Sequence, residues 1–390
     1  MDFRLTEEQQ LIQDTARSFA QNELDPVAAQ LDKEPYKKEN REIFLKNLKK
    51  LAELGLMGIN VKAEYGGSEA GVIAFSLAMT EIGRACAATG VTMSVTNLVA
   101  EVIQSIGSDE LKNTYIPKIC SGEYSAGGFA LTEPSAGSDP SDMRTTAVLD
   151  GDEWVVNGNK IFITSGEYAG CHVLWAVTDR NAPKGKGIST FVLEQGDPGF
   201  TVGRAEHKMG QRASSTNELI FDNCRFPKDR LMGTLNDGFR VAVAELTGGR
   251  IGIGSMALGI GLAAMDYATK YAKERVQFGH SIVNFQAIQW MIAERYTELE
   301  AARLLLLNAA YQKENTNFFA RESSMAKYFA TEAAERACRS AVQMLGGYGY
   351  TEEYPVERYT RDTRVASLYE GTNEIQRLII ARDIIRSLGS

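Results

Sequence analysis

The hydrophobic pattern of this chain changes its period twice, and this limits the folds open to it. Up to about residue 120, apolar residues recur at helical spacing, after a capping-box pattern of Thr6 and Gln9. Between about 122 and 232, short β-branched and aromatic runs surround the hairpin dipeptides Asp150-Gly151 and Asn157-Gly158. The helical period then returns. The pattern predicts an N-terminal α-helical domain (1–121), a middle β-domain (122–232) and a C-terminal α-helical domain (233–390).

Composition narrows the class of protein. The 390 residues exceed one simple core, and the net charge of −8 disfavours the basic surface of a nucleic-acid binder. The five cysteines are scattered and never paired as CxxC, which favours structural thiols in a reducing compartment. The uncharged stretch from Ile251 to Met265 is shorter than a membrane span of about 20 residues, so we interpret it as a closely packed buried helix. With no secretion signal at its start, the chain is expected to be cytoplasmic and without a membrane span.

Missing motifs exclude several chemistries. The chain has no GxxxxGK[ST] phosphate loop and no GxSxG elbow, and its glycine-rich segment near Gly249 does not fit GxGxxG. The three histidines (His172, His207 and His280) have no metal-binding spacing, which disfavours a metal enzyme or a serine–histidine hydrolase. The remaining possibilities are carboxylate chemistry, an organic cofactor, or both.

Three stretches remain as candidate sites. The loop 129–139 is crowded with small residues and hydroxyls, which suit ligand contacts but also suit a simple domain connection. The glycines in 343–362 could expose backbone amides to a phosphate or merely end a helix. In 367–377, Glu370 has no charged neighbour within three residues, so it is either a surface residue or a buried acid kept for chemistry.

Together these stretches resemble the acyl-CoA dehydrogenase family. "ALTEPSAGSD" and "QMLGGYGYTEEYPVERYTRD" are similar to the two family signatures, and "KIFITSG", "KMGQRASSTNEL", "RVQFG" and "FQAIQ" match in order between them. The resemblance covers nearly the whole chain and is greatest to the short-chain (butyryl-type) members. It implies an α+β multidomain fold with an all-helical first domain, a β-barrel or sandwich, and a C-terminal four-helix bundle. It also implies a homotetramer, a dimer of dimers, with FAD at the subunit contacts.

The resemblance also implies which residues hold the cofactor and substrate. Phe162, where many members carry tryptophan, would cover one flavin face together with Ile163 and Thr164. Arg275 would pair with the FAD diphosphate, since a guanidinium fork suits that group. Arg250 would lie along the CoA moiety. The other cofactor residues implied are Phe129, Leu131, Thr132, Ser138, Gln277, Phe278, Gln286, Gln343, Met344, Leu345, Gly346, Gly347, Thr372, Asn373 and Glu374, where Gln286 and residues 343–347 serve a neighbouring subunit. The other substrate residues implied are Ser138, Thr247, Tyr369 and Gly371.

The implied reaction is α,β-desaturation of an acyl-CoA thioester in fatty acid β-oxidation. Glu370 would take the α-proton while the β-hydride passes to flavin N5, and the Glu370 N–H and a ribityl hydroxyl would bind the thioester oxygen. Burial would raise the pKa of Glu370 toward the working pH, and a side chain at Gly371 would crowd the substrate. Isovaleryl-type members carry the base where this chain has Gly249, and glutaryl-type members carry an arginine where it has Gly90. Glu370 is thus the base that fits the family.

Several alternatives stay open at this point. The electrons would pass to an electron-transfer flavoprotein, but an acyl-CoA oxidase using O₂ and a non-catalytic flavin or acyl-CoA binding homologue share these motifs. The sequence leaves open whether the acyl group is short, branched or cyclic, and in which direction the reaction runs. A mature mitochondrial-matrix protein is the alternative to a cytoplasmic one.

Overall fold

The N-terminal region is helical in the computed structural model, which describes residues 4–316 and 318–389. The predicted capping box is present, because the Thr6 and Gln9 side chains each accept the other's backbone N–H, at 3.2 and 3.1 Å. A π-helical turn, Ala20–Leu24, joins the first two helices. The six helices are α1 (Glu7–Phe19), α2 (Asp25–Lys33), α3 (Lys38–Glu53), α4 (Gly71–Ala85), α5 (Ala87–Ile106) and α6 (Asp109–Cys120).

The middle region is an eight-stranded sheet with its own apolar core. The strand order is β6-β7-β3-β2-β4-β5-β8, and β1 pairs in parallel with β4. Buried residues such as Trp154, Phe191 and Phe226 fill this core. The strands are β1 (Ala126–Ala130), β2 (Thr146–Asp150), β3 (Glu153–Thr164), β4 (Ala169–Val177), β5 (Ile188–Glu194), β6 (Phe200–Ala205), β7 (Thr216–Pro227) and β8 (Leu231–Met232).

One of the two predicted hairpin dipeptides forms a turn, and the other does not. Asp150 ends β2 and pairs with Glu153, and Gly151, in the left-handed region, begins the two-residue turn that leads to β3. The prediction for Asn157-Gly158 is wrong, because both residues lie inside β3 at a register irregularity against β7. A Cβ on Gly158 would come 2.7 Å from the Thr145 Cα. Glycine at this position therefore permits a close backbone approach within the sheet.

The C-terminal region is again helical. Long helices α7 (Gly238–Glu274), α8 (Gln286–Asn315) and α9 (Ala320–Leu345) pack on one another, and α11 (Asn373–Leu388) packs on α9. The short helix α10 (Val356–Arg364) precedes α11, and a small hairpin of β9 (Val276–Gln277) and β10 (His280–Ser281) follows α7. The predicted order of helical, β and helical regions is confirmed. The domain boundaries at 121/122 and 232/233 fall in the connections between these regions and stay predictions.

Helix α7 is the centre of the larger core. It packs against α4, α5, α8 and α9, and the predicted buried helix from Ile251 to Met265 is confirmed. A Cβ on Gly259 would lie 2.1 Å from the Thr80 carbonyl oxygen of α4, so glycine permits this close crossing. By length and composition alone α7 could cross a membrane, but most of its apolar stretch is covered by neighbouring protein. All five cysteines are free and buried.

Arg361 ties the three regions together near the candidate site. Its guanidinium pairs with Asp32 of α2 at 2.7 Å and with Glu357 of α10 at 2.7 Å. It also donates to the Met209 carbonyl of the loop before β7, at 3.0 Å. One side chain therefore fixes the N-terminal helices, the β-region and the C-terminal helices relative to one another.

Candidate active site

Glu370 lies in a tight turn between α10 and α11. Its φ is +54° and that of the following Gly371 is +85°, so two consecutive residues adopt left-handed conformations. The carboxylate points at α7, where a Cβ added to Gly249 would lie 2.4 Å from Glu370 Oε2. Gly249, where the resemblance implies the base of isovaleryl-type enzymes, thus borders the same space as the carboxylate of Glu370, the base that the sequence predicts.

Burial controls the protonation of Glu370. The residue is half-buried, and its Oε2 atom is buried without a hydrogen-bond partner among the described residues. Burial raises the pKa of Glu370 to about 7, although the positive charges of Arg250 and Lys327 act to lower it. The sequence correctly predicts a raised pKa but wrongly implies an isolated acid, because the two cations come from α7 and α9 and are distant in the chain.

The turn is held by side chains that the sequence analysis did not select. Gln376 Nε2 donates to the carbonyl oxygens of Glu370 and Gly371, at 3.2 and 2.8 Å. Lys327 Nζ donates to the Gly371 oxygen at 2.9 Å. For Gly371, the positive φ and a contact of 2.6 Å between an added Cβ and Gln376 Nε2 explain the need for glycine. This reason is independent of the substrate crowding that the sequence suggested.

Gln211, in the loop before β7, supports Tyr369, the residue before Glu370. Gln211 Nε2 donates to the Tyr369 hydroxyl at 3.1 Å and to the Asp362 carbonyl at 3.0 Å. Gln211 is 4% exposed and has a positive φ. Burial raises the pKa of Asp362 to about 6. The sequence analysis quoted the motif that contains Gln211 but gave the residue no role.

Arg250 and Thr247 lie on α7 beside the turn. Arg250 is 5% exposed, its Nη1 donates to Ser324 Oγ at 3.3 Å, and its Nε has no partner among the described residues. Burial lowers the pKa of Arg250 to about 10, while the charge of Glu370 raises it. The Thr247 hydroxyl donates to the Val243 carbonyl within the helix, at 2.8 Å. Their predicted contacts with CoA stay predictions.

The predicted flavin loop is anchored by a buried ion pair. Lys160 of β3 is 0% exposed, and its Nζ donates to Glu133 Oε1 at 2.8 Å and to the Leu131 carbonyl at 3.0 Å. Glu133 also accepts the backbone N–H groups of Arg144 and Thr145. Burial would raise the pKa of Glu133, but Lys160 and these hydrogen bonds outweigh it and lower the pKa. Burial lowers the pKa of Lys160 to about 8.

The predicted flavin residues lie on β1, on the following loop and on β3, the same segments that carry this ion pair. The Thr132 carbonyl accepts the Ile161 N–H at 2.9 Å, so the loop and β3 are joined next to Phe162. The Phe129 ring packs on Trp175 with centroids 4.4 Å apart, while Leu131 is buried and Ser138 is exposed. The loop and β3 are thus joined both by a backbone hydrogen bond and by the Lys160–Glu133 pair.

Phe162 stands out from β3 at a bulge. The register against β7 shifts between Lys160 and Ile163, and Phe162 has a φ of +59° with 62% of its surface exposed. Ile163 is 1% exposed and belongs to the β-region core, so a contact with a flavin would come from its backbone. Thr164 is partly exposed. The bulge thus presents an aromatic face that can stack on a planar ring.

A second group of predicted cofactor residues lines one pocket of about 540 Å³. Arg275 lies at its edge with its guanidinium over the Tyr348 ring, 5.6 Å from the centroid. A Cβ on Gly346 or Gly347 would meet nothing within 4 Å, so their backbone is open to a ligand. None of the lining residues belongs to the β-region. The pocket is lined by Tyr271, Arg275, Gln277, Ile282, Gln343, Met344, Leu345, Gly346, Gly347, Tyr348 and Thr351.

The remaining predicted residues lie outside that pocket. Phe278 is 90% exposed and Gln286 is exposed as the first residue of α8. Thr372 caps α11, and Glu374 pairs with Arg377 at 3.3 Å. Asn373 is 2% exposed, and its side chain bonds to Lys327 and Thr331, so a contact with a cofactor would have to come from its backbone.

Gly90 lies against Met256 of α7. A Cβ at Gly90 would come within 3.0 Å of the Met256 Cγ and Sδ atoms. An arginine at position 90, as in glutaryl-type enzymes, would therefore require α5 and α7 to move apart at this contact.

The residues present fit FAD. The open glycines and the guanidinium of Arg275 suit a diphosphate, and the exposed ring of Phe162 suits an isoalloxazine. The chemistry of the two donor sets therefore agrees with the cofactor that the sequence implies.

Comparisons with known proteins cover the chain from end to end. Models of the acyl-CoA dehydrogenase N-terminal, middle and C-terminal domains match residues 6–123, 128–224 and 236–385. The mitochondrial short-chain specific acyl-CoA dehydrogenase of Rattus norvegicus is 46% identical over 99% of this chain and 92% of its own length.

Solved structures give the same result. Butyryl-CoA dehydrogenase from Megasphaera elsdenii is 38% identical with a TM-score of 0.94, over 99% of this chain and all of that one. A chain from the structure of the electron transferring flavoprotein of Acidaminococcus fermentans is 44% identical with a TM-score of 0.95, with the same coverage. The helical, β and helical order is thus shared with these proteins along the whole chain.

Proposed function

Because the chain belongs to the acyl-CoA dehydrogenase family, we propose that Glu370 is its catalytic base and that its substrate is a short-chain acyl-CoA thioester, which it converts to the 2-enoyl-CoA. Members of the family are FAD-dependent oxidoreductases of CH–CH groups. The observation that carries the assignment is the carboxylate of Glu370, whose Oε2 is buried, has no hydrogen-bond partner in the described part of the chain and is directed at Gly249.

The environment of Glu370 suits proton abstraction beside a thioester. A carboxylate in water has a pKa of about 4.3 and is a weak base for that step. Burial raises the pKa of Glu370 to about 7, close to neutral pH, so the group binds the α-proton more strongly. The unpartnered Oε2 keeps a lone pair for that proton. The backbone N–H of Glu370 is proposed to bind the thioester oxygen and stabilise the enolate charge.

Two sets of residues are proposed to hold the cofactor. FAD, when bound, would supply the acceptor for the hydride that leaves the β-carbon as Glu370 takes the α-proton. The loop 129–138 and Phe162 would border its flavin, and Arg275 with residues 343–347 would hold its diphosphate. The second set lines a pocket without any β-region residue, which supports a second copy of the chain as the source of that pocket. A homotetramer, a dimer of dimers, is proposed because the family resemblance implies it.

Substrate and electron acceptor follow from the relatives. The short-chain specific rat enzyme and the butyryl-CoA dehydrogenase support a small acyl group, and the glycine at position 90 gives no cation for a dicarboxylate. The match to a chain of the electron transferring flavoprotein structure supports an electron-transfer flavoprotein as partner. The location is proposed as cytoplasmic, or the mitochondrial matrix for a processed protein.

The test is reduction of the bound flavin under anaerobic conditions. Acyl-CoAs from butyryl to palmitoyl, with branched and cyclic members, are mixed with the holoenzyme, and flavin absorbance is followed in a stopped-flow instrument. The fastest bleaching is expected with a short straight chain. Subsequent exposure to air should reoxidise the flavin slowly, and rapid peroxide formation would instead identify an oxidase. Absence of bleaching with every thioester would refute the proposed function.

A further inference from the structure

The backbone at Glu370 needs support from its surroundings. A residue other than glycine with a φ of +54° is uncommon, because its Cβ meets neighbouring backbone atoms in this conformation. Such a conformation persists only where neighbouring contacts fix it. Here it is followed by a second left-handed residue, Gly371, so the direction of the Glu370 side chain depends on how this pair of residues is held.

Lys327 supplies one of those contacts from α9. Its side chain is 0% exposed, and its Nζ donates to the Gly371 carbonyl at 2.9 Å and to Asn373 Oδ1 at 3.1 Å. Asn373 is held in turn by the Thr331 hydroxyl at 3.0 Å. A lysine is almost never fully buried unless a partner compensates its charge. The Lys327 ammonium finds such a partner in the turn that carries Glu370.

Charges from several elements face the Lys327 ammonium. Glu370 lies on the turn, Glu335 on α9 and Glu374 on α11, and each favours the protonated lysine. Arg250 on α7 opposes it. Burial is the largest effect and lowers the pKa of Lys327 to about 7. Lys327 and Glu370 stabilise each other's charged forms, so removal of either charge changes the titration of the other.

We propose that Lys327 is a positioning residue for the reaction, which holds the left-handed Glu370–Gly371 turn through the Gly371 carbonyl and favours the carboxylate form of Glu370. This inference rests on the proposed role of Glu370 as the base. It gives Lys327 two separable functions, one geometric and one electrostatic. The residue does not touch the substrate in this scheme.

Two substitutions separate the functions. Lys327→Met removes both the hydrogen bonds and the charge, whereas Lys327→Gln removes the charge but leaves an amide N–H, one atom nearer the backbone, directed toward the Gly371 carbonyl. For Lys327→Met we expect flavin reduction by butyryl-CoA to slow about 10- to 100-fold, since a lost hydrogen bond to a charged group is worth about 1.5–3 kcal/mol. For Lys327→Gln we expect most of the rate to return at high pH.

The pH dependence gives a second readout. Loss of a nearby cation raises the pKa of Glu370, so the acid limb of the rate should move up by about one pH unit in both variants. Infrared difference titration of the Glu370 carboxyl, assigned by subtracting Glu370→Gln, measures the same shift without turnover. Thr331→Val is the matched control, because it removes a hydroxyl bonded to Asn373 and leaves the ammonium in place. Its acid limb should stay at the wild-type position.

Each outcome decides the inference. Wild-type rate and titration in FAD-loaded Lys327→Met and Lys327→Gln would overturn it while leaving Glu370 as the base. If neither variant folds or retains FAD, Lys327 acts in folding and the inference is equally overturned. If wild-type protein is not reduced by any acyl-CoA, the proposed function itself fails, and the infrared titration still reports whether Lys327 affects Glu370.

Discussion

Gly249 borders the carboxylate of Glu370 so closely that a Cβ on this glycine would lie 2.4 Å from Oε2 and 3.0 Å from Cδ. Two segments more than a hundred residues apart thus share one small space. The side chain that occupies it comes from the turn before α11, because α7 contributes only backbone there.

Gly249→Ala should displace the Glu370 carboxylate. The added methyl overlaps a charged group held by the turn, so we expect at least a tenfold slower flavin reduction with little loss of FAD. Stopped-flow reduction and flavin content measure the two effects. Gly196→Ala is the control, since a Cβ there meets nothing within 4 Å and should leave the rate unchanged. Equal rates in both variants would show that the carboxylate lies elsewhere.

Glu370→Gln should abolish proton abstraction while keeping the shape of the site. A positioned general base contributes about 10²- to 10⁴-fold, so the rate of flavin bleaching should fall by at least this factor. FAD content and acyl-CoA binding, measured by absorbance and calorimetry, should be retained. A variant with the full rate would refute the assignment of the base.

The same residue should make stability depend on pH. The pKa of Glu370 is about 7 in the folded chain and about 4.3 when unfolded. Because the folded pKa is raised, this group's contribution to stability is fully present below pH 4.3 and is lost as pH rises through 7. The Tm of Glu370→Gln relative to wild type should therefore increase from pH 5 to pH 8. A difference that is constant over this range would contradict a raised pKa, and activity should rise over the same interval.

Lys160→Met should loosen the predicted flavin loop. It leaves the Glu133 carboxylate buried without its cation, which costs about 3–5 kcal/mol, and frees the Leu131 carbonyl. We expect a lower Tm and faster FAD release, measured by flavin fluorescence after dilution. The double substitution Lys160→Met with Glu133→Gln removes the unpaired charge and should recover part of the Tm. Unchanged FAD retention in Lys160→Met would mean that the loop does not border the flavin.

Arg275→Gln should weaken FAD binding, because Arg275 lines the pocket proposed for the FAD diphosphate. Loss of a charge-assisted contact with a diphosphate predicts an FAD Kd raised about 10- to 100-fold. Arg204→Gln serves as the control, because the Arg204 side chain is 80% exposed on β6 and outside both predicted cofactor sets. Sedimentation of the two variants with and without FAD tests whether the cofactor links copies of the chain. An unchanged Kd would exclude Arg275 from the cofactor site.

Local patterns sufficed for the parts of the fold that local physics controls. The capping box of Thr6 and Gln9 and the buried helix from Ile251 to Met265 formed as expected, because capping and helical periodicity are properties of neighbouring residues. The prediction of a turn at Asn157-Gly158 is wrong. Glycine is needed at 158 because the Thr145 backbone lies so close, and no local sequence pattern reveals this contact.

For the candidate site, too, the sequence identified some residues and missed others. Motif resemblance selected Glu370, Arg275 and the loop at Leu131, since these segments are contiguous in sequence. It missed Lys327 and Gln376, although a lysine at helical spacing from the buried Ala330 and Ala334 was a usable signal.

The sequence by itself determined the order of helical and β regions, because that order follows from periodicity. It also identified the candidate base and the expected cofactor, because contiguous motifs resemble those of a known family. Only the tertiary structure decided the chemical environment of Glu370. Its left-handed turn, the space left by Gly249 and the opposed effects of burial and two cations depend on packing between α7, α9 and α11. Charge interactions and desolvation depend on distances in space, and the order of residues along the chain does not give those distances.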